Sequence, residues 1–350
     1  MPASLWHAHR VAVEPTATWA DEAEAQFRAA YDAPRGLGLR RVLPVLVLVA
    51  GVLVVRSIGT PAVSGRAATW LTIFVAITLQ AMPFLVFGVA LSGAVAALMP
   101  DGALRRIFPQ RTAFAVPIAG MAGALLPGCE CGSVPLARQM VVRGVSPSAA
   151  LTFLLSAPAI NPVVTVATAV AFAGQPMMAV ARVVASLLAA IVVGFIWYRK
   201  NWDEFIDPRA SHGHEGPNRW QTFRLTVRHD VLHAGGYLAL GAGAAATLRA
   251  VVPASVLERV GGAGWSAVLA MAVLAVVLSI CSEADAFVAV GLTQFSLTSR
   301  LVFLVVGPMV DLKLIALQWA TFGRAFVVRF APLTLAVATG SALIVGRVLL

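Results

Sequence analysis

The chain has 350 residues, of which 59% are hydrophobic and only 12% charged. A water-soluble domain carries about 25% charged residues, so this composition excludes an ordinary soluble fold and points to an all-α polytopic membrane protein. A net charge of +10 would suit nucleic acid, but the arginines are scattered through short loops between apolar segments. That is the positive-inside pattern, and it needs no nucleic-acid partner.

Residues 1–39 hold Glu14, Asp21, Glu22, Glu24 and Asp32 and lack the short apolar core of an export signal. They read as a cytoplasmic N-terminal tail with no cleavable signal peptide. Trp19, Ala23, Phe27 and Tyr31 recur at helical spacing, which fits either a short helix lying on the membrane or a solvated tail. Residues 40–66 carry an extra transmembrane helix at about 41–58. A first membrane repeat, 67–198, is predicted to hold spans at 68–98, 147–173 and 177–198 and a broken stretch at 112–143. A polar cytoplasmic loop at 199–228 follows, where His212, His214 and Glu215 read as solvated. The second repeat, 229–350, has spans at 230–252, 301–322 and 325–348 and a broken stretch at about 264–297. About 8–10 segments result. His229 and His233 have the spacing of a zinc-protease helix, but Asp230 stands where its catalytic Glu would be, and the pair opens a membrane helix.

The halves are related. A shift of 153 residues lays Phe84–Gly88 over Tyr237–Gly241, Pro100 over Pro253, Arg106 over Arg259 and Glu130 over Glu283; a shift of 150 lays Asn161 over Asp311. Arg105, Arg106 and Arg111 precede the first broken stretch, and Arg138 and Arg143 follow its break. If all five face the cytoplasm, 112–143 is a re-entrant hairpin. Each repeat then has three full spans, and the odd number makes the repeats inverted, with the hairpin tips meeting near the midplane. Interrupted helices at matching positions form the substrate sites of many secondary transporters. Two plain spans per broken stretch, giving parallel repeats, is the competing arrangement.

The breaks hold all three cysteines. Pro127, Gly128, Gly132 and Pro135 flank the first, around Cys129, Glu130 and Cys131; the second holds Cys281, Glu283 and Asp285. Carboxylates at membrane depth mark a site or pathway by default. Thiolates favour soft species such as Cu(I), Zn(II) or trivalent arsenic, and carboxylates favour harder cations and protons. The candidate substrate-binding set is Cys129, Glu130, Cys131, Asn161, Cys281, Glu283, Asp285, Asp311 and Lys313, with Cys129, Cys131, Cys281 and Glu283 as metal ligands. Four acidic groups (Glu130, Glu283, Asp285, Asp311) then face one intramembrane cation, Lys313, which favours a cationic or proton-coupled substrate. Asp311 and Lys313, two apart, would not meet on an intact helix, so Lys313 is expected to reach Glu283 or Asp285. Asn161 offers an amide oxygen to a substrate or a hydrogen bond between helices.

The runs Gly128–Leu136, Ser156–Pro162, Cys281–Asp285 and Gly307–Lys313 together resemble the predicted-permease family that includes the organoarsenical-efflux permeases, over roughly 68–348. The resemblance implies a multi-pass permease of the cell inner membrane and, in one branch, export of trivalent organoarsenicals through cysteine thiols. Glu130 departs from that branch, which tends to place a small polar residue between the cysteines, and the carboxylate favours a metal cation. The chain is thus read as a permease, not an enzyme, exporting a thiophilic metal or metalloid species, with no cofactor. Its partners are the lipid bilayer, the substrate and, in one reading, a second membrane subunit. No Gly-x4-Gly-Lys-Ser/Thr run is present, so coupling must come from an ion gradient or another subunit. Two other readings remain: a non-transport membrane subunit of a metal-homeostasis complex, and a membrane thiol redox protein using Cys129 and Cys131.

Overall fold

A computed structural model describes residues 66–99, 108–109, 111–125, 130–206, 218–251 and 264–350. The N-terminal tail, the helix expected at 41–58, Cys129, His212 and His214 lie outside the described residues. No strand occurs among those described. Among the described residues, four helices are long and apolar enough to cross a membrane: Ala68–Leu98, Pro147–Ala171, Met177–Arg199 and Arg324–Leu349. The protein is an all-α polytopic membrane protein.

In the first half α1 (Arg66–Leu98) is followed by α2 (Thr112–Ala122, extended by a 3-10 turn at Gly123–Leu125), α3 (Glu130–Val142), α4 (Pro147–Ile160), α5 (Pro162–Ala171) and α6 (Met177–Arg199). The second half repeats the order: α7 (Arg219–Val251), α8 (Trp265–Leu278), α9 (Asp285–Gly291), α10 (Leu297–Val306), α11 (Leu312–Phe322) and α12 (Arg324–Leu349). Two boundaries differ from the sequence reading. The helix expected from 230 begins at Arg219, taking in the end of the polar loop. The span expected as 301–322 is broken into α10 and α11, just as α4 and α5 are broken at Asn161.

These breaks have local causes. Asn161 is extended (φ −64°, ψ 158°), a conformation that proline favours in the residue before it, and Pro162 suits the first helical position, where no N–H is needed. Asn161 Oδ1 then accepts from Val164 N at 2.9 Å, capping α5. Asp311, its counterpart, accepts from Leu314 N at 2.6 Å and caps α11 in the same way. Two aligned residues thus have one local role.

Neighbouring levels give the helix directions. Gly120 lies against Thr152 and Gly123 against Ser156 and Ala157, so α2 runs parallel to α4. A tight turn, with Val145 N donating to Met140 O, brings α4 back antiparallel to α3. Therefore α2 and α3 enter and leave at one end of the bundle, as a hairpin. In the second half Gly307 lies near Ala275 and Leu312 N donates to Ser279 Oγ, so α8 runs parallel to α10, and α9 returns.

Corresponding helices of the two halves run antiparallel. Trp70 Nε1 donates to Thr247 Oγ1 at 2.9 Å near the start of α1, while Gly93 near its other end meets Phe223 and Val227. Likewise Trp197, late in α6, packs on Phe326 and Phe330, early in α12, at ring separations of 5.2 and 5.7 Å. The core sits around α4, buried from Ser148 to Ile160, and α10, buried from Leu301 to Val306. Apolar side chains such as Val86, Phe87, Leu232, Leu240 and Ile344 remain exposed on the long helices. They form the surface that lipid would cover.

Basic residues gather at one end. Arg111, Arg138, Arg143, Arg199, Lys200, Arg219 and Arg324 all stand at the helix ends on the hairpin-entry side of the first half, whereas Arg300 and Arg347 stand at the other. This is the distribution that orients membrane proteins with the basic end inward.

Close packing depends on glycine at Gly88. A Cβ there would overlap the backbone of Gly132, so α1 and α3 touch main chain to main chain. At Gly241 a Cβ would lie 2.5 Å from the Cα of Lys313. Gly88→Ala is expected to cost about 1–3 kcal/mol through overpacking. Gly236→Ala, with nothing within 4 Å, should fold normally. Thermal unfolding of the two purified variants compares them, and equal midpoints would refute the close-packing account.

Candidate functional site

The tips of the two hairpins meet at the centre of the bundle. Glu130, the first residue of α3, is 1% exposed, and Ser282 of the second tip donates to its Oε2 at 3.4 Å. Beside this contact lies a cavity of about 300 Å³. Its walls are Thr72, Ile73, Ala76, Ile77, Gln80 and Ala81 of α1, Glu130 and Cys131 of the first tip, Ser279, Ile280 and Cys281 of the second, and Lys313.

The second tip is built on an unusual backbone. Ser279 ends α8 with φ 44°, a left-handed conformation uncommon outside glycine, asparagine and aspartate, and one that costs free energy where it occurs. The turn it makes aims two groups at α11. Its carbonyl oxygen accepts from Lys313 Nζ at 3.1 Å, and its hydroxyl accepts from Leu312 N at 3.2 Å.

Lys313 is buried and pairs with Glu130 Oε1 at 2.6 Å and Asp311 Oδ2 at 3.2 Å. Both expectations for this lysine are corrected. It does not pair with Glu283 or Asp285, and it does meet Asp311. The physical reason is the break at Asp311: a cap residue is outside the helix, so the spacing rule for helix faces does not govern it. Bridging two carboxylates offsets the cost of burying the ammonium.

Asp285 has a different partner, which sequence reasoning missed. Arg182 of α6 meets it through both nitrogens, Nη1 to Oδ1 at 2.9 Å and Nη2 to Oδ2 at 2.7 Å. The same guanidinium donates to Thr168 Oγ1 at 2.7 Å and Ser282 O at 3.2 Å. Arg182 is therefore a second buried cation, where Lys313 alone was counted. The signal was present as an arginine five residues into the apolar Met177–Arg199 helix. Its planar fork suits a buried bidentate pair better than a lysine would.

Among the described residues, Glu283 is the one of the four central acidic groups with no cationic partner. It accepts instead from the Cys281 thiol, Sγ to Oε2 at 2.6 Å. Cys131 is 2% exposed and Cys281 5%. Asn161 does not line the cavity; besides capping α5, its amide donates to Ala157 O at 3.2 Å. His229 Nδ1 sits 3.1 Å from Asp230 Oδ1, ten residues into α7 and far along the chain from the tips. Among the described residues no three His, Cys, Asp or Glu side chains converge closely enough to hold a metal ion. Cys129, one of the four expected ligands, lies outside them.

Comparison with known proteins agrees with the architecture. Over 283 residues the chain is 35% identical to the UPF0718 protein YcgR of Bacillus subtilis, covering 79% of this chain and 96% of that protein. Over 284 residues it is 30% identical to a putative two-component membrane permease complex subunit of Streptococcus mutans, covering 79% and 94% respectively. No solved structure matches it. The family model ArsP_1, described as a predicted permease, matches residues 66–347, and with several helices long and apolar enough to cross a membrane the chain belongs to that family of membrane permeases.

Proposed function

We propose that this permease exports a thiophilic metal or metalloid species through the cavity between the hairpin tips, with Cys131 and Cys281 as the sulfur ligands. One observation carries the reading: two buried cysteines, one from each half of the chain, line the same cavity. Soft thiolate sulfur selects soft acceptors. The charge argument for a hard cation is weaker than it was with Lys313 alone, because Arg182 holds Asp285 while Glu130 and Asp311 share Lys313.

Glu283 then has a chemical role. Its carboxylate already holds the Cys281 proton in a hydrogen bond. When a soft metal ion arrives, the S–H bond breaks, the proton passes to Glu283 and a sulfur–metal bond forms. With a hydroxylated trivalent metalloid the metalloid–oxygen bond breaks too, and the proton leaves with that hydroxide as water. Release reverses the step by returning a proton to sulfur, and supplying that proton from the far side would tie export to a proton gradient. Cys129 joins Cys131 in the proposed ligand set on sequence grounds.

The halves are, on this reading, inverted repeats that alternate access by moving against each other. The antiparallel courses of α1 with α7 and α6 with α12, and the matched caps at Asn161 and Asp311, support it. A second membrane subunit fits beside this chain, since the Streptococcus mutans relative bears the name of a complex subunit.

The test is transport by full-length protein in proteoliposomes challenged with methylarsenite, Cu(I), Zn(II) and Cd(II). At least one is expected to move, and Cys131→Ser or Cys281→Ser should bring that rate to background at unchanged protein levels. Wild-type rates in both variants would sink the proposal.

A further inference from the structure

The cavity is not centred on the bundle. Its α1 wall runs from Thr72 to Ala81, the half of α1 that leads away from the basic end. On the other side of the tips the structure is closed. Gly88 and Gly132 touch through their backbones. One helical step further, Ser92 Oγ donates to Pro135 O at 3.5 Å and to Asp230 Oδ2 at 3.3 Å. Arg138 Nη1 meets Asp230 Oδ1 at 3.2 Å, and Arg143 donates to Ala96 O.

This cluster ties two elements of the first half to one of the second, a contact that movement of the halves against each other would have to break. Arg138 and Pro135 lie on α3, the returning arm of the first hairpin. Ser92 lies on α1, and Asp230 on α7 of the opposite half. From Ala81 to Ser92 is about 16 Å along a helix, so the cluster lies well beyond the cavity floor. Asp230 is 5% exposed and the Arg138 side chain only 16%, which shields their attraction from solvent more than at an open surface.

We propose that the Arg138–Asp230–Ser92 cluster is the gate on the basic face of the permease, closed here, and that the cavity is reached from the opposite face. Under the charge rule the closed face is the cytoplasmic one. The inference rests on the permease reading but not on the substrate. Opening toward the basic face requires Asp230 to leave Arg138, and weakening that contact shifts the population toward the state open on that side.

The cavity cysteines serve as native reporters. Full-length protein is placed in sealed membrane vesicles of each orientation and treated with a membrane-impermeant methanethiosulfonate reagent, and peptide mass spectrometry reads Cys131 and Cys281 separately. In the wild type both cysteines should be labelled from the face opposite the basic one. Asp230→Asn and Arg138→Gln should raise labelling from the basic face by about tenfold, the effect of about 1.4 kcal/mol on the equilibrium. The charge swap Arg138→Asp with Asp230→Arg should restore closure. Ser92→Ala, which removes one shared hydrogen-bond donor and no charge, should give a smaller shift in the same direction and serves if the charged variants do not reach the membrane. Wild-type labelling from the basic face, or unchanged labelling there in every variant, would overturn the gate. Because the readout is accessibility, its failure is separate from a failure to transport thiophilic substrates.

Discussion

Replacing Lys313 with methionine is expected to destabilise the protein by about 3–5 kcal/mol and to abolish transport, the largest effect of any single change at the site. The cost does not come from the lost attraction alone. Glu130 and Asp311 are 1% and 0% exposed, and both depend on this one ammonium. Without it, two largely buried carboxylates remain with no counter-charge. The Ser279 carbonyl also loses its donor, at a residue already held in a left-handed conformation. The companion variant separates these contributions. Adding Glu130→Gln to Lys313→Met removes one stranded charge, so the double variant should unfold at a higher temperature than Lys313→Met alone. Thermal unfolding of the detergent-solubilised proteins measures both. Equal midpoints would mean that Glu130 is not held by Lys313, and the account of the cavity wall would be wrong.

Arg182→Met should be nearly as severe, about 3–5 kcal/mol, for a related reason in a different place. The guanidinium connects α6 and α5 of the first half to the tip of the second hairpin through Asp285, Thr168 and the Ser282 carbonyl. Asp285 is 2% exposed and has no room to reach water. Arg182→Lys keeps the charge but loses the two-pronged geometry, so it should recover only part of the stability. Combining Arg182→Met with Asp285→Leu removes both buried charges and should recover most of it, since apolar replacements of similar size commonly match a buried pair. Transport then distinguishes holding the fold from positioning the tip. If stability returns and transport does not, the ion pair positions Cys281 and Glu283. A double variant as unstable as Arg182→Met would show that the loss arises elsewhere.

These two lysine and arginine sites also show why the central charges are hard to read one half at a time. Counting acidic groups against Lys313 suggests a surplus awaiting a cation. The actual arrangement leaves Glu283, hydrogen-bonded to a thiol, as the sole acidic group of the four without a cation among the described residues. On the proposed reading, the metal cage expected from the sequence becomes a narrower device, two sulfurs and a proton acceptor.

Much of the architecture is written in local chemistry, which is why the sequence by itself determined it. Long apolar runs can satisfy their backbone in a membrane only as helices, and prolines and glycines can only interrupt them. That places the long spans, the broken stretches at 112–143 and 264–297 and the order of elements in the two halves. The alignment of Asn161 with Asp311 was also legible, through the shift that relates the halves, but their shared role as helix caps came only from the structure. What only the tertiary structure decided are contacts between distant parts of the chain. Lys313 finds Glu130 because the two tips touch, and Asp285 finds Arg182 because α6 passes behind the second tip. Asp230 finds Arg138 and Ser92 because α7 lies antiparallel along α1, within side-chain reach of the returning arm of the first hairpin. Burial makes such partners obligatory, since a charge with no water must find a counter-charge. Spacing along the chain does not say which one it finds.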